Sequence, residues 1–138
     1  MIYKAKKKDL NLLYQIEKDV FKDEIFSLSK ESLRYHLNNN LIFIIKYEKI
    51  NVGYCLWLER KKYYRLYSFA ILPKYQGKGL ASQLLKYCIE KLKEKSLQLE
   101  VRVSNEKAIL LYERFAFKKV KVLKDYYKNE NAYLMKRV

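Results

Sequence analysis

Residues 72–82, LPKYQGKGLAS, hold the chain's one proline and two of its three glycines, Gly77 and Gly79. Directly behind them Leu80, Leu84, Leu85, Ile89 and Leu92 recur at helical spacing, with Gln83, Lys86, Glu90 and Lys93 between. A helix that opens on Gln76-Gly77-Lys78-Gly79 has neither a Ser, Thr, Asp or Asn cap nor an acid in its first turn. Its first N–H groups and the positive end of its dipole are left for an outside partner. Glycines let those N–H groups approach a ligand without a Cβ in the way, and Lys78 adds a cation. The chemistry this suits is anion binding, with a phosphate or diphosphate as the natural guest. A tight strand-to-helix turn accounts for a lone Gly-x-Gly about as well. The spacing fits neither a P-loop nor a dinucleotide fingerprint.

A second candidate lies in LQLEVRV, residues 97–103. Strict alternation turns Leu97, Leu99, Val101 and Val103 one way and Gln98, Glu100 and Arg102 the other. Glu100 on that polar side can take a proton, or it forms a Glu–Arg pair on a solvated sheet face. Tyr112 is one of 14 tyrosines, and among Ala108, Leu111 and Phe115 it also reads as an ordinary packed ring. Asn105, seven residues before it, reads as a helix cap. His36, the only histidine, reads as a surface residue. Cys55 and Cys88 lack metal-type spacing and read as reduced core residues of a cytoplasmic protein, so no metal is expected.

The elements that must position these residues follow from the pattern. MIYKAK reads as a short strand. DLNLLYQIEKDVF reads as a helix with Leu10, Leu13, Ile16, Glu17 and Val20 near one face. SLSKESLRYHL is a second helix capped by Ser27 or Ser29. Residues 41–60 are two strands joined by a turn around Glu48 to Asn51, and YYRLYSFAIL is another strand. The glycine turn and long helix come next. LQLEVRV is a strand, NEKAILLYERF a helix, and KKVKVLKDYY with NAYLMKRV a final hairpin. The strand–turn–helix–strand unit in the middle predicts a parallel or near-parallel crossover. The fold class is therefore α/β or α+β with one central mixed sheet.

The chain has 138 residues, which suggests one domain over 1–138 with room for a real core. Half the residues are hydrophobic, which excludes a disordered chain. No apolar run approaches a membrane span, the basic start lacks a leader's apolar region, and no membrane partner is expected. Net charge is +15. That charge favours an anionic ligand, an acidic substrate or RNA. The lysines are spread over the whole chain, however, so a compositional bias accounts for them equally. RNA contact is compatible with the charge and not required by it.

Gln76-Gly77-Lys78-Gly79-Leu80-Ala81 fits Gln/Arg-x-x-Gly-x-Gly/Ala after a strand and Pro73. This resembles the acetyl-coenzyme A motif of the GNAT N-acetyltransferases. Residues 99–119, LEVRVSNEKAILLYERFAFKK, are similar to the GNAT segment in which a strand leads to an Asn-capped helix carrying a Tyr. The resemblance is closest to the RimI-type protein N-terminal acetyltransferases. It implies a mixed sheet of about seven strands flanked by about four helices. It implies a diphosphate on the backbone of Gly77, Lys78, Gly79, Leu80, Ala81 and Ser82, with Gln76 shaping the loop. It implies a pantetheine arm along Phe69, Ala70 and Ile71, whose side chains are core and whose backbone pairs with the arm. Asn105 is implied to bond the same cosubstrate. Tyr112 is implied to protonate the leaving thiolate, and Glu100 to take the proton from the attacking ammonium, through water.

Departures from the family pattern fall mostly on the acceptor side. Residues 26–33, FSLSKESL, lack the usual Pro-Trp. Tyr126 and Tyr127 keep the pair of the peptide-acetylating members and are implied substrate-binding residues. Asn131-Ala132 stands where an acid-Ala pair is usual, and Ala116 where glycine is usual. A left-handed conformation at Ala116 would cost about 1–2 kcal/mol. The expected acceptor is the N-terminal α-amine of a protein or peptide, such as a ribosomal protein. Alternatives are a small amine, a lysine side chain, an aminoacyl-tRNA, or a non-catalytic member that binds coenzyme A or RNA.

Overall fold

The computed structural model describes residues 1–22 and 27–138. Seven strands form one sheet: β1 (Ile2–Lys4), β2 (Leu41–Tyr47), β3 (Ile50–Glu59), β4 (Tyr63–Ile71), β5 (Ser96–Arg102), β6 (Lys118–Tyr127) and β7 (Glu130–Arg137). Four helices flank it: α1 (Leu10–Val20), α2 (Lys30–Asn39), α3 (Leu80–Lys91) and α4 (Glu106–Arg114). The strand order is β1-β2-β3-β4-β5-β7-β6. Every pairing is antiparallel except β4 with β5, which is parallel. This is the crossover expected of a strand–turn–helix–strand unit, with α3 as the connection.

Strands β2 and β3 read as unbroken apolar runs because helices cover both of their faces. Ile42, Ile44, Tyr54 and Leu56 point to one side and pack on Leu13 and Ile16 of α1 and Leu33 of α2. Phe43, Ile45, Cys55 and Trp57 point to the other and pack on Leu80, Leu84, Leu85 and Cys88 of α3 and Ile109 of α4. The Cys55 and Cys88 thiols lie 3.2 Å apart, both buried and free, and burial raises the Cys55 thiol's pKa. Gly53 is required by this packing, since a Cβ there would lie 2.5 Å from the Ala70 carbonyl oxygen of the neighbouring strand.

The local signals for termini hold. Ser29 caps α2 by accepting from the Ser32 N–H at 3.1 Å, and Asn105 caps α4 by accepting from Ala108 at 3.2 Å. The β2–β3 turn falls on Glu48 and Lys49, both at positive φ, as a two-residue hairpin requires. Ala116 does sit in the left-handed region, at φ 67°. In the segment 26–33 that lacks Pro-Trp, position 26 lies outside the described residues.

Candidate active site

The decisive feature of the sheet is where β4 and β5 part. They pair only from Tyr63 with Ser96 to Leu66 with Leu99, while β4 stays paired to β3 as far as Ile71. Tyr67 is the extra residue of a β-bulge against β3, because Leu56 pairs with Ser68 and Trp57 with Leu66. A bulge bends and twists its strand. Here it turns β4 away from β5 one residue past their last rung. The unpaired edges open a cleft of about 410 Å³ between the strands.

At one end of this opening β4 runs into the glycine turn. Gly77 and Gly79 have φ of 81° and 78°, and Gly79 is the N-cap residue of α3 with no side-chain cap. A Cβ at either would meet nothing within 4 Å. The protein therefore asks these residues for backbone conformation only, and the space over them stays free for a ligand. Leu80, Ala81 and Ser82 supply the first N–H groups of α3, which a helix cannot pair internally. Pro73 opens a short 3-10 turn before the glycines, and the Gln76 amide donates to the Ile71 carbonyl at 3.0 Å, pinning the loop to the strand it leaves. Lys78 stands over the Tyr47 ring at 5.7 Å. Ala70 and Ile71 are core side chains on opposite faces of the sheet, and Phe69 lines the cleft.

The cleft gathers Glu100, Asn105, Tyr112, Tyr126 and Tyr127. Tyr112 is 9% exposed, its ring lies 5.8 Å from that of Phe117, and its hydroxyl bonds to none of the described residues. Burial first, then the neighbouring Tyr127 and Cys55, push its phenol pKa far above the ordinary value. It therefore stays protonated across the neutral range. The Asn105 Oδ1 is spent on the α4 cap while the residue lines the cleft.

Glu100 has an arginine partner, but not the one adjacent in sequence. Its Oε1 is ion-paired with Arg65 of β4, and the Tyr126 hydroxyl donates to the same oxygen at 3.3 Å. Arg102 instead pairs with Glu130 at 3.3 Å and stacks on the Tyr127 ring at 4.1 Å. The alternation in β5 puts Glu100 on the cleft side; the alternative reading, a Glu–Arg pair, is met as well, but with Arg65 and in the cleft instead of on a solvated face. The Glu100 side chain is only 8% exposed, and its Oε2 is buried without a partner among the described residues.

Two further cleft residues were missed as candidates. Glu17 of α1 is 2% exposed, accepts from the Leu28 N–H at 2.7 Å, and receives the Tyr54 hydroxyl on its other oxygen. Its signal was present: a carboxylate on the apolar stripe of a helix must be buried and paired. Arg65 carried no such signal, since its meaning depends on a strand distant in sequence. Asn131 does a structural job, its Oδ1 accepting from the Asp125 N–H at 2.9 Å where Asp125 bulges at φ 51°. His36 is half-buried, its ring between Tyr35 at 5.3 Å and Tyr67 at 5.5 Å. Burial, then Arg60, lowers its pKa.

A family model described as the acetyltransferase (GNAT) family matches residues 10–117. An N-alpha-acetyltransferase of Saccharolobus solfataricus is 51% identical over 75 residues, 51% of this chain and 45% of that protein. With a Sulfurisphaera tokodaii N-alpha-acetyltransferase matched over 44% of its own length, the chain spans about half the length of these archaeal relatives. A Bacillus subtilis protein named putative ribosomal protein bS18-alanine N-acetyltransferase is 32% identical over 136 residues, 92% of this chain and 87% of its own. Among solved structures, the ribosomal-protein-S18-alanine N-acetyltransferase of Escherichia coli has a TM-score of 0.88 at 27% identity, covering 99% of this chain and 91% of that one.

Proposed function

The chain belongs to the acetyltransferase (GNAT) family, and from that premise we propose that it moves an acetyl group from acetyl-coenzyme A to the N-terminal α-amine of a protein. The observation that carries the reading is the cleft between β4 and β5. A buried, half-unpaired carboxylate and a protonated tyrosine line one cleft, and residues 69–71 of β4 lead from it to a glycine turn and an uncapped helix N-terminus. The glycine turn and the first N–H groups of α3 hold the diphosphate, and the free edge of Phe69 to Ile71 pairs with the pantetheine amides. Acetyl-coenzyme A supplies a thioester whose carbon the amine attacks. The amine's proton passes to Glu100, directly or through one water. Tyr112 gives its proton to the departing sulfur, so the products are an amide and a thiol.

The choice of amine follows from proton affinity. An α-amine has a pKa near 7.8 and a lysine side chain about 10.4, so the α-amine is cheaper to deprotonate by ~3.5 kcal/mol. A carboxylate base suits the first better. Tyr126 and Tyr127 flank Glu100 and would line the path of the peptide. Relatives named as ribosomal protein bS18-alanine N-acetyltransferases make a ribosomal-protein N-terminus the first peptide to offer.

The test is acetylation of peptides with free Ala or Ser N-termini, read by mass spectrometry. Label on the α-amine supports the reading, and label confined to lysine side chains or small amines overturns the acceptor. Glu100→Gln tests the base. Its rate deficit should shrink as pH climbs past about 8, where the α-amine loses its proton to bulk water. Wild-type and variant curves that run parallel would remove Glu100 from the role.

A further inference from the structure

We propose that Arg65 is a positioning residue for Glu100: it holds Oε1 and fixes the rotation of the carboxylate, so that the base keeps one orientation toward the acceptor amine or its bridging water. The inference rests on Glu100 as the base. Arg65 and Glu100 flank the last rung of the β4–β5 pairing, Leu66 with Leu99. Their side chains therefore meet at the apex where the two strands part. The Arg65 Nη2 group is ion-paired with Glu100 Oε1 and donates to the Tyr126 hydroxyl at 2.7 Å, while that hydroxyl donates to the same Oε1 at 3.3 Å. The three groups close a triangle on one carboxylate oxygen. The Arg65 Cζ also lies 5.6 Å from the centre of the Tyr67 ring.

A pair that served only to join two strands would spend its donors and acceptors on itself. This one does not. Among the described residues, the Arg65 Nε and the Glu100 Oε2 are both buried polar atoms without partners, and both residues line the cleft. The arrangement fixes the rotation of a carboxylate that would otherwise sample several orientations about its flexible stem, and a base must sit within hydrogen-bond reach of the proton it takes. A lysine could not do the same. Its ammonium is a point charge, whereas the planar guanidinium sets the direction of the carboxylate and the hydroxyl together.

The effect reads on turnover, not on binding of acetyl-coenzyme A. Arg65→Met, which keeps the stem and removes the fork, should lower kcat by about 10-fold or more, in the range of a lost orientation effect. Its affinity for acetyl-coenzyme A should stay within about twofold of wild type, since the glycine turn is untouched. Arg65→Lys should recover only part of the loss, and guanidinium ion added to Arg65→Ala should restore part of it. The deciding measurement is the double variant Glu100→Gln/Arg65→Met, expected to be no slower than Glu100→Gln alone. Losses that multiply would mean Arg65 acts apart from Glu100 and would overturn the inference. Wild-type or faster turnover in Arg65→Met, beside a slow Glu100→Gln, would overturn it while leaving Glu100 as the base. A Glu100→Gln enzyme with no deficit would instead sink the reading of the base, seen in that variant alone.

Discussion

Between residues 76 and 82 the candidate site is main chain. Gly77 and Gly79 leave open space above them, no side chain caps α3, and Lys78 is the one charged group in the turn. At the other end the surface is made of side chains brought from four elements: Glu17 of α1, Arg65 of β4, Glu100 of β5 and Tyr126 of β6. The two ends are built by different physics. A backbone cradle needs only a local conformation, so any sequence that allows positive φ at two points and starts a helix will form it. Side chains that pair across elements need their partners present, because a buried carboxylate left without one is a charge without compensation. The first tolerates drift in side chains. The second is where a change of acceptor would be written.

The comparison can be broken most directly at Tyr112, which lines the same cleft as Glu100. Tyr112→Phe keeps the ring against Phe117 and removes the proton donor, and kcat should fall by roughly 10²-fold with acetyl-coenzyme A affinity retained. Because burial raises the phenol's pKa, the donor keeps its proton as pH passes the ordinary tyrosine value. The deficit should therefore stay flat from pH 7 to about 10, unlike that of Glu100→Gln. The same shift predicts a stability effect of definite sign. The buried phenol's contribution is complete below about pH 10 and is lost as pH rises beyond it, since tyrosines of the unfolded chain ionise first. Denaturant titrations at pH 9 and 11 should show a smaller alkaline loss for Tyr112→Phe than for wild type.

Glu17→Ala tests the side-chain end. It strips an acceptor from the Leu28 N–H and from the Tyr54 hydroxyl, and should cost about 1–3 kcal/mol by urea unfolding. Affinity for acetyl-coenzyme A in the folded fraction should not move. A joint loss of both would mean that the two ends are one cooperative unit. Gly79→Asp tests the backbone end. A carboxylate over the cradle should weaken acetyl-coenzyme A by about tenfold or more in a calorimetric titration, and the fold should lose about 1–2 kcal/mol, because the new Cβ meets no protein atom within 4 Å but residue 79 is held at φ 78°. Unchanged affinity would refute the phosphate reading of residues 76–82. The smallest effect is expected at Ala116. Relief of its left-handed strain in Ala116→Gly should stabilise the fold by no more than about 1 kcal/mol, part of the gain being offset by the freer unfolded chain.

The elements were legible in the sequence almost residue by residue because their signals are local. The β6–β7 hairpin, the Asn105 cap and the alternation that turns Glu100 into the cleft each depend on neighbours a few positions away. Glu17 was on the page as an acid in an apolar stripe, but its partner Tyr54 lies 37 residues on, so burial was readable and purpose was not. Arg65 was one of 30 basic residues, with nothing nearby to mark it.

By itself the sequence determined that a strand and a glycine turn would lead into a helix with an uncapped first turn, because φ at glycine and the unpaired first turn of a helix are properties of the local chain. It also determined which face of β5 would be polar. Only the tertiary structure decided which cation meets Glu100. Arg102 is two residues away on the same face and is drawn to Glu130, while Arg65 arrives from a parallel strand and shares its guanidinium with Tyr126, 61 residues away. Ion pairs inside a cleft go to the partner that the sheet register brings within reach, and register is set by the whole core.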